Sequence, residues 1–245
     1  RLTRVYEYMG PAWYQREIEI PAAWKGKRIF LYFERTHWLS SVYVGKEEVS
    51  KIDYISIPHN HELTQWLHPG KKELITFCID NRYQYDTHKW DHAHSEFTQI
   101  NWNGVLGEIK LVAVDPVYVD DMQVYPDIKN KSIKVKMTVR NCTEHTASGK
   151  ISFHVTGKDY RLQKEVPVTV TDSITYIEEE MFLGKDIHLW NEFHPNLYTL
   201  DCKLTSSVEG QSYAHEKSTT FGMREVEAGE DHIILNGEPI HLRGT

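Results

Sequence analysis

The sequence lacks several features that would each point to a class of protein. Its longest apolar run, IFLYF at residues 29–33, is far too short to span a bilayer. Acidic residues number 35 against 28 lysines and arginines, and the net charge of −7 argues against a nucleic-acid partner, which would need a basic face. No GxSxG elbow, phosphate-binding glycine loop or CxxC pair occurs. A self-contained active site is therefore not evident.

Cysteine is also scarce. The chain has three, Cys78, Cys142 and Cys202, and this count excludes a disulfide scaffold. We expect buried, reduced thiols, because free cysteine often packs as a small hydrophobe. A bridge between Cys142 and Cys202 stays open at this point.

Long amphipathic helices are missing too, and alternation with period two takes their place. The segments YQREIEI, IKVKMTVR and ISFHVTG each place apolar residues on one face, which is typical of half-buried strands. RIFLYFE and ELITFCID are more continuously apolar, as expected of central strands covered on both faces. Short helical turns are plausible near PAAWKG and LTQWLHPG. The sequence predicts an all-β fold.

The length of 245 residues suits two domains of ordinary size. A break at Asp115-Pro116 separates an aromatic-rich first part from a second part that alternates regularly, as an immunoglobulin-like sandwich would. A third piece predicts a hairpin turned at Asn236-Gly237, which favours type I′ geometry. We therefore expect domains at 1–116 and 117–221, followed by a hairpin at 222–245.

Several segments together resemble one family. WYQREIEIPAAWKGKRIFLYFE, LTQWLHPGKKELITFCIDN and NWNGVLGEIKLVAVDPVYVDDMQVYPDI are similar to the jelly roll of family 2 glycoside hydrolases, the β-galactosidase and β-glucuronidase group. LWNEFHPNLYTL resembles a motif of that family's second domain, and FGMREV with ILNGEPIHLRG resembles the entry into its catalytic barrel. The five segments occur in the family's order across nearly the whole chain. Two loop stretches, YVGKEEV and ISIPHNH, depart from the family pattern and leave the bound sugar open.

The resemblance implies a jelly-roll β-sandwich followed by an immunoglobulin-like β-sandwich, placed before a (β/α)8 barrel. It also implies a parent enzyme that hydrolyses β-glycosides with retention, using two glutamates at the ends of barrel strands and no cofactor. A barrel needs at least about 200 residues, and this sequence has 23 after Gly222. We therefore expect the catalytic carboxylates to lie outside this chain, and the chain to be inactive alone.

Histidine, tryptophan, acidic and amide side chains are concentrated in the stretch DTHKWDHAHSEFTQINWNG. We call it the 86–104 segment. Its histidines, with His92 and His94 two residues apart, would suit a metal, but no fitting fourth ligand follows. Its tryptophans, amides, acids and imidazoles suit a sugar, whose C–H face stacks on aromatic rings and whose hydroxyls need polar partners. The third alternative is a structural loop that satisfies its own backbone.

We favour the sugar hypothesis and expect no metal. In the resembled family the corresponding loop leans over the barrel mouth. The candidate substrate-binding residues are Trp90, Asp91, His92, His94, Gln99, Asn101 and Trp102.

Other residues carry weaker hypotheses. His59 and His61 could face the same mouth. Trp190, Pro195 and Tyr198 are expected to pack in the second domain. Arg224 and Arg243 are expected in an ion pair or at a strand end. Trp13 and Trp24 are expected in the core or at an edge.

We thus predict the non-catalytic N-terminal region of a retaining β-glycoside hydrolase, whose partners are a carbohydrate substrate and its own barrel, without nucleic acid or membrane. An autonomous carbohydrate-binding or purely structural module is the alternative function. Any export signal would lie outside this sequence. The location stays open, with the periplasm or the cell exterior preferred.

Overall fold

A computed structural model describes residues 8–55, 57–82 and 102–241 of the chain. Over these residues the secondary structure is strand, apart from one short 3-10 helix at Ala22–Trp24. No helix within the described ranges has the length and apolar character needed to cross a membrane. The all-β prediction is confirmed. Contacts divide the chain into unit 1, Arg1–Val114, and unit 2, Asp115–Thr245.

Unit 1 is a jelly-roll sandwich of two antiparallel sheets. One sheet has the strand order β1-β6-β3-β4 and the other β5-β2-β7. Successive strands often lie in opposite sheets, so most neighbours within a sheet are distant in sequence. The strands are β1 Pro11–Glu19, β2 Arg28–His37, β3 Leu39–Val44, β4 Glu47–Asp53, β5 His59–Glu62, β6 Lys72–Asp80 and β7 Gly104–Val114.

The core of unit 1 lies between its two sheets. β2 and β6 occupy internal positions, as their apolar sequences predict. Phe33 of β2 and Ile79 of β6 are completely buried, because alternate residues of each strand point to the same face. The helical turn predicted near PAAWKG is the 3-10 helix, whereas LTQWLHPG forms turns without a helix.

Unit 2 is an immunoglobulin-like sandwich. Its first, second and fifth strands form the sheet β12-β9-β8, and the remaining four form β11-β10-β13-β14. These strands are β8 Val117–Asp127, β9 Ser132–Asn141, β10 Ala147–Thr156, β11 Arg161–Val170, β12 Ile174–Phe182, β13 Tyr198–Val208 and β14 Gln211–Phe221. The predicted inward residues of β9 and β10 are all buried, namely Ile133, Val135, Met137, Val139, Ile151, Phe153 and Val155.

Tyr198 marks the start of β13, the sixth strand of this sandwich. Its hydroxyl accepts a hydrogen bond from the backbone nitrogen of His188 at 2.8 Å and lies 3.3 Å from the carbonyl oxygen of the same residue. A tyrosine at this corner of immunoglobulin-like folds commonly bonds back to the preceding connection. The predicted packing role of Tyr198 is confirmed, since its side chain is buried in the core.

A small third sheet, β15-β16-β17, follows the sandwich of unit 2. Its strands are β15 Val226–Ala228, β16 Ile233–Leu235 and β17 Glu238–Ile240. Asn236 and Gly237 join the last two with φ values of 54° and 86°. Positive φ at both central residues is the requirement of a type I′ turn, so the predicted hairpin turn is confirmed.

None of the three cysteines is in a disulfide, so Cys142 is not bridged to Cys202. Cys78 and Cys202 are buried as predicted, and burial raises the pKa of the Cys202 thiol to about 12. The prediction for Cys142 is wrong, because its side chain is exposed. It directly follows the last residue of β9 and has left the alternating pattern that buries apolar side chains.

Candidate functional site

The candidate residues divide between described and undescribed parts of the chain. Trp90, Asp91, His92, His94, Gln99 and Asn101 lie outside the described residues, as does His88 of the metal hypothesis. Trp102, the seventh candidate, is described and half-buried. The described part of the site is therefore the base of the 86–104 segment, where the chain leaves β6 and returns to β7.

The Asn81 side chain forms three hydrogen bonds at this base. Its amide nitrogen donates to the carbonyl oxygens of Tyr8 at 3.0 Å and Trp102 at 3.1 Å. Its amide oxygen accepts from the backbone nitrogen of Gly10 at 2.9 Å. The residue is completely buried. One side chain thus joins the departing strand, the returning strand and the chain preceding β1.

His37 holds the returning strand from a second direction. Its Nδ1 lies 2.9 Å from the carbonyl oxygen of Trp102, and since a carbonyl only accepts, Nδ1 carries the proton. The two rings pack with centroids 4.9 Å apart and planes tilted by 34°. His37 is only 2% exposed. The backbone position of Trp102 is therefore fixed by two buried side chains, His37 and Asn81.

Asn103 and Gly104 complete the return. The Asn103 amide nitrogen donates to the carbonyl oxygen of Gly10 at 2.8 Å. Its amide oxygen is buried, and in the part of the chain that the structure describes it has no hydrogen-bond partner. Gly104 adopts a φ of 108°, and a Cβ atom there would lie 2.9 Å from the Tyr14 hydroxyl. Glycine is required at this position for both conformation and space.

Asp80 and Arg82 form an ion pair where the chain leaves β6. The Arg82 Nε lies 3.0 Å from both carboxylate oxygens of Asp80. This hydrogen-bonded guanidinium holds the pKa of Asp80 below its usual range, although burial acts in the opposite direction. Asp80 is consequently a carboxylate at neutral pH. It anchors Arg82 at the last described position before the 86–104 segment.

His59 and His61 do not face an open mouth, and that hypothesis is wrong. Both are completely buried and share the hydroxyl of Ser40, which lies 2.6 Å from His59 Nδ1 and 2.8 Å from His61 Nε2. The far nitrogens reach the Tyr54 carbonyl at 2.9 Å and the Ser50 hydroxyl at 2.8 Å. They form a polar network inside the sandwich.

The protons of this network follow from the Tyr54 carbonyl, which can only accept. His59 therefore carries its proton on Nε2, and its Nδ1 accepts from Ser40. Ser40 in turn accepts from Nε2 of His61, whose Nδ1 accepts from Ser50. Burial lowers the pKa of His59, and burial together with the neighbouring His59 lowers that of His61 to about 3. Both imidazoles are neutral at neutral pH.

The aromatic and basic residues singled out in unit 2 serve packing. Trp190 forms an isolated bridge with Pro195, and the Asn236 amide nitrogen donates to the Trp190 carbonyl at 2.9 Å. The guanidinium of Arg224 lies over the Trp190 ring at 4.7 Å. This cation–π contact accounts for Arg224 without a ligand. Arg243 lies outside the described residues.

Trp13 is more exposed than the expected packing in the core or at an edge implies. It lies on the edge strand β1, as one alternative allowed, but its side chain is 59% exposed. Trp24, by comparison, packs against the core of unit 1. The signal was available, since Trp13 alternates in phase with Gln15 and Glu17 and so belongs to the outward face of its strand.

The described residues contain no group of three or more His, Cys, Asp or Glu side chains positioned to hold a metal ion. The histidines of the metal hypothesis fall outside that part of the chain. Of the seven candidate residues, Trp102 lies in the described part of the chain, and His37 and Asn81 hold its backbone carbonyl.

Comparison with known proteins finds similarity to one family of enzymes. The model of the family described as "Glycosyl hydrolases family 2" matches residues 117–224. A β-galactosidase of Thermoanaerobacter pseudethanolicus is 24% identical over 97% of this chain and 32% of its own length. A β-glucuronidase of Paenibacillus borealis is 22% identical over 97% of this chain and 40% of its own.

The fold agrees with solved structures of the same group. The β-glucuronidase 2 of Bacteroides uniformis superposes with a TM-score of 0.78 at 19% identity, covering 97% of this chain and 29% of that one. The chain spans less than half the length of the relatives named here. Residues 117–224 match the model of glycosyl hydrolase family 2, and the curated relatives and the fold agree with the resemblance found in the sequence.

Proposed function

We propose that this chain is the non-catalytic N-terminal region of a retaining β-glycoside hydrolase, where it orients a catalytic barrel and lines its substrate mouth. The family match and the β-galactosidase and β-glucuronidase relatives support the reaction class. The relatives are longer than this chain, which leaves room in such a protein for a barrel.

The proposed domains follow the fold. Residues 1–116 form a sugar-binding jelly roll, residues 117–221 form an immunoglobulin-like domain, and residues 222–245 form a hairpin that leads into the barrel. The strand interruption between Val114 and Val117 supports the first boundary. The end of β14 at Phe221 supports the second.

The base of the 86–104 segment is the observation that carries the proposal. Side chains that position a substrate must be held to a fraction of an ångström, which requires support from a rigid frame. Asn81 and His37, both buried, fix the carbonyl of Trp102 with hydrogen bonds of 3.1 and 2.9 Å. A segment anchored so firmly at its base is suited to present polar side chains to a ligand.

We assign a role in sugar binding to each candidate residue from the chemistry of its side chain. Trp90 and Trp102 would cover the C–H face of a pyranose, and the polar candidates would bond its hydroxyls, namely Asp91, His92, His94, Gln99 and Asn101. Retaining hydrolysis needs a nucleophilic carboxylate and an acid/base carboxyl about 5–5.5 Å apart. Both come from the barrel in this proposal, and no cofactor takes part. The segment contributes binding and orientation.

The experiment compares this chain with its full-length parent on 4-nitrophenyl β-galactoside and β-glucuronide. We expect hydrolysis by the parent alone, with the β-anomer as the first product seen by proton NMR. Hydrolysis by the isolated chain would overturn the non-catalytic role. A parent that hydrolyses neither these nor other β-glycosides, or one that releases the α-anomer first, would overturn the reaction class.

A further inference from the structure

The outer face of the β1-β6-β3-β4 sheet carries an aromatic pair. Trp13 on β1 and Tyr43 on β3 reach toward each other across the intervening β6, and their ring centroids lie 5.5 Å apart with planes inclined by 42°. Thr76 and Cys78 of β6 lie beneath them and are 8% and 7% exposed. The pair therefore forms a continuous aromatic surface over small side chains.

Strand register arranges the residues around this pair in two rows. The first row runs Trp13, Cys78, Ser41, Lys51 and the second runs Gln15, Thr76, Tyr43, Glu48. Directly paired residues of neighbouring strands share a face, and a register shift between Val42 and Tyr43 pairs Glu48 with Tyr43, so the members of both rows point outward together. Polar side chains thus border the rings along both rows.

Hydrogen bonds hold this arrangement in place. The Tyr43 hydroxyl donates to the Glu48 carboxylate at 2.5 Å, which fixes the ring that supports Trp13. The Gln15 amide nitrogen donates to the Thr76 hydroxyl at 2.8 Å. Gln15 lies two residues from Trp13 on the same face of β1, and this bond leaves its amide oxygen available as an acceptor. A rigid aromatic surface next to an oriented amide is a preorganised binding feature.

We propose that this face, which we call the Trp13 platform, binds an uncharged pyranose ring of a β-linked glycan. The indole would stack on the C–H face of the sugar, and Gln15 and Glu48 would bond its hydroxyls. An indole that is 59% exposed on a regular strand leaves unburied the large apolar area that tryptophan usually buries. A stacked sugar would cover it.

Charge and size select this ligand class. Around the platform the two carboxylates of Glu17 and Glu48 outnumber the one ammonium group of Lys51, and the whole chain carries a net charge of −7, so acidic sugars are disfavoured. A standard protein interface buries about 800 Å² per partner around an apolar centre. The platform has two aromatic rings, those of Trp13 and Tyr43, closely bordered by polar and charged side chains. Its apolar area suits one pyranose ring better than a protein partner.

This inference goes beyond the proposed function, because it concerns binding on the strands of unit 1 and requires no hydrolysis. Calorimetric titration of the chain with β-1,4-mannotetraose, cellotetraose and β-1,4-galactotetraose tests it. At least one should bind with a Kd below about 10 mM. Trp13→Ala should weaken that binding by about tenfold or more. Tyr176→Ala, which removes an 80% exposed ring in unit 2, should leave it unchanged.

Two controls accompany the calorimetric titration. β-1,4-Tetramannuronate differs from mannotetraose only in its carboxylates, so it should bind more weakly, and tighter binding overturns the uncharged class. If Trp13→Ala alters the unfolding midpoint, oxidation of the wild-type indole by N-bromosuccinimide replaces it, and the bound sugar should slow oxidation of Trp13 but not of Trp24. Absence of binding by every neutral probe, or unchanged binding after loss of Trp13, overturns the proposal.

Discussion

The Nδ1 atom of His37 lies 2.9 Å from the carbonyl oxygen of Trp102, so a buried histidine of β2 fixes the point at which the 86–104 segment rejoins the sheet. The Asn81 amide nitrogen donates to the same carbonyl at 3.1 Å. A frame of this kind has consequences for stability that can be measured separately from any activity.

Replacing Asn81 should destabilise unit 1. Asn81→Ala removes three hydrogen bonds and leaves Gly10 and two carbonyls without this partner, so we expect a loss of about 2–4 kcal/mol in the free energy of unfolding. Denaturant unfolding followed by tryptophan fluorescence reports on unit 1, which contains six of the seven tryptophans. Asn60→Ala, at an exposed asparagine of β5 in the same unit, is the control. Equal effects of the two substitutions would contradict the role given to Asn81.

Tyr198 should matter through its hydroxyl as well as its ring. Tyr198→Phe keeps the buried ring but removes the acceptor of the His188 N–H group, so unit 2 should lose about 1–2 kcal/mol of stability. Tyr176→Phe, at a ring that is 80% exposed, should change stability by less than about 0.5 kcal/mol. Thermal unfolding followed by far-ultraviolet circular dichroism measures both, and an unaltered Tyr198→Phe variant would show that the corner bond is dispensable.

The buried histidines should make unit 1 sensitive to acid. The pKa of His61 falls from an ordinary 6.5 to about 3 and that of His59 is lowered too, so the unfolded chain binds more protons in this range. Their contribution is fully present above pH 6.5 and is lost as the pH falls, by about 1.4 kcal/mol per pH unit for His61. Denaturant unfolding at pH 7.5, 6 and 5 measures this slope.

His61→Leu isolates the effect, because it changes the slope whatever it does to stability at pH 7.5. We expect a shallower fall in stability between pH 6 and 5 than in the wild type. His154→Gln, at an exposed histidine of β10, should retain the wild-type slope. A His61→Leu slope equal to that of the wild type would refute the assignment.

The thiols should differ in reactivity. Cys142 is exposed, whereas Cys78 and Cys202 are buried and burial raises the pKa of both. Titration of the native chain with 5,5′-dithiobis(2-nitrobenzoate) at pH 8 should label one thiol rapidly and the other two only after unfolding. Loss of the rapid phase in Cys142→Ser identifies it, while rapid labelling of all three native thiols would contradict the burial.

Local pattern predicted much of this fold. Alternation in β9 and β10 identified their buried faces, and Asn236-Gly237 identified a turn, because these signals depend only on neighbouring residues. The partners of Asn81 and His37 were beyond prediction, since they join positions up to 73 residues apart in sequence. The Ser40 network was missed for the same reason, and two buried histidines were interpreted as surface groups.

The candidate site was predictable as a concentration of residue types but not as a geometry. Trp102 was predicted as a candidate substrate-binding residue, yet its anchoring depends on a hydrogen bond between its carbonyl and a histidine of β2. The exposure of Trp13 could have been inferred from its phase with Gln15. Trp13 was instead expected in the core or at an edge.

The central claim is that the 86–104 segment positions the substrate of a β-glycoside hydrolase, and kcat/KM of the full-length parent with His94→Ala tests it most directly. Loss of one substrate hydrogen bond should reduce kcat/KM by about tenfold or more on the best β-glycoside, without a change in unfolding midpoint. His154→Ala in the same parent should have wild-type activity. Wild-type kcat/KM for His94→Ala and for each of the other six candidates replaced by alanine would contradict the account.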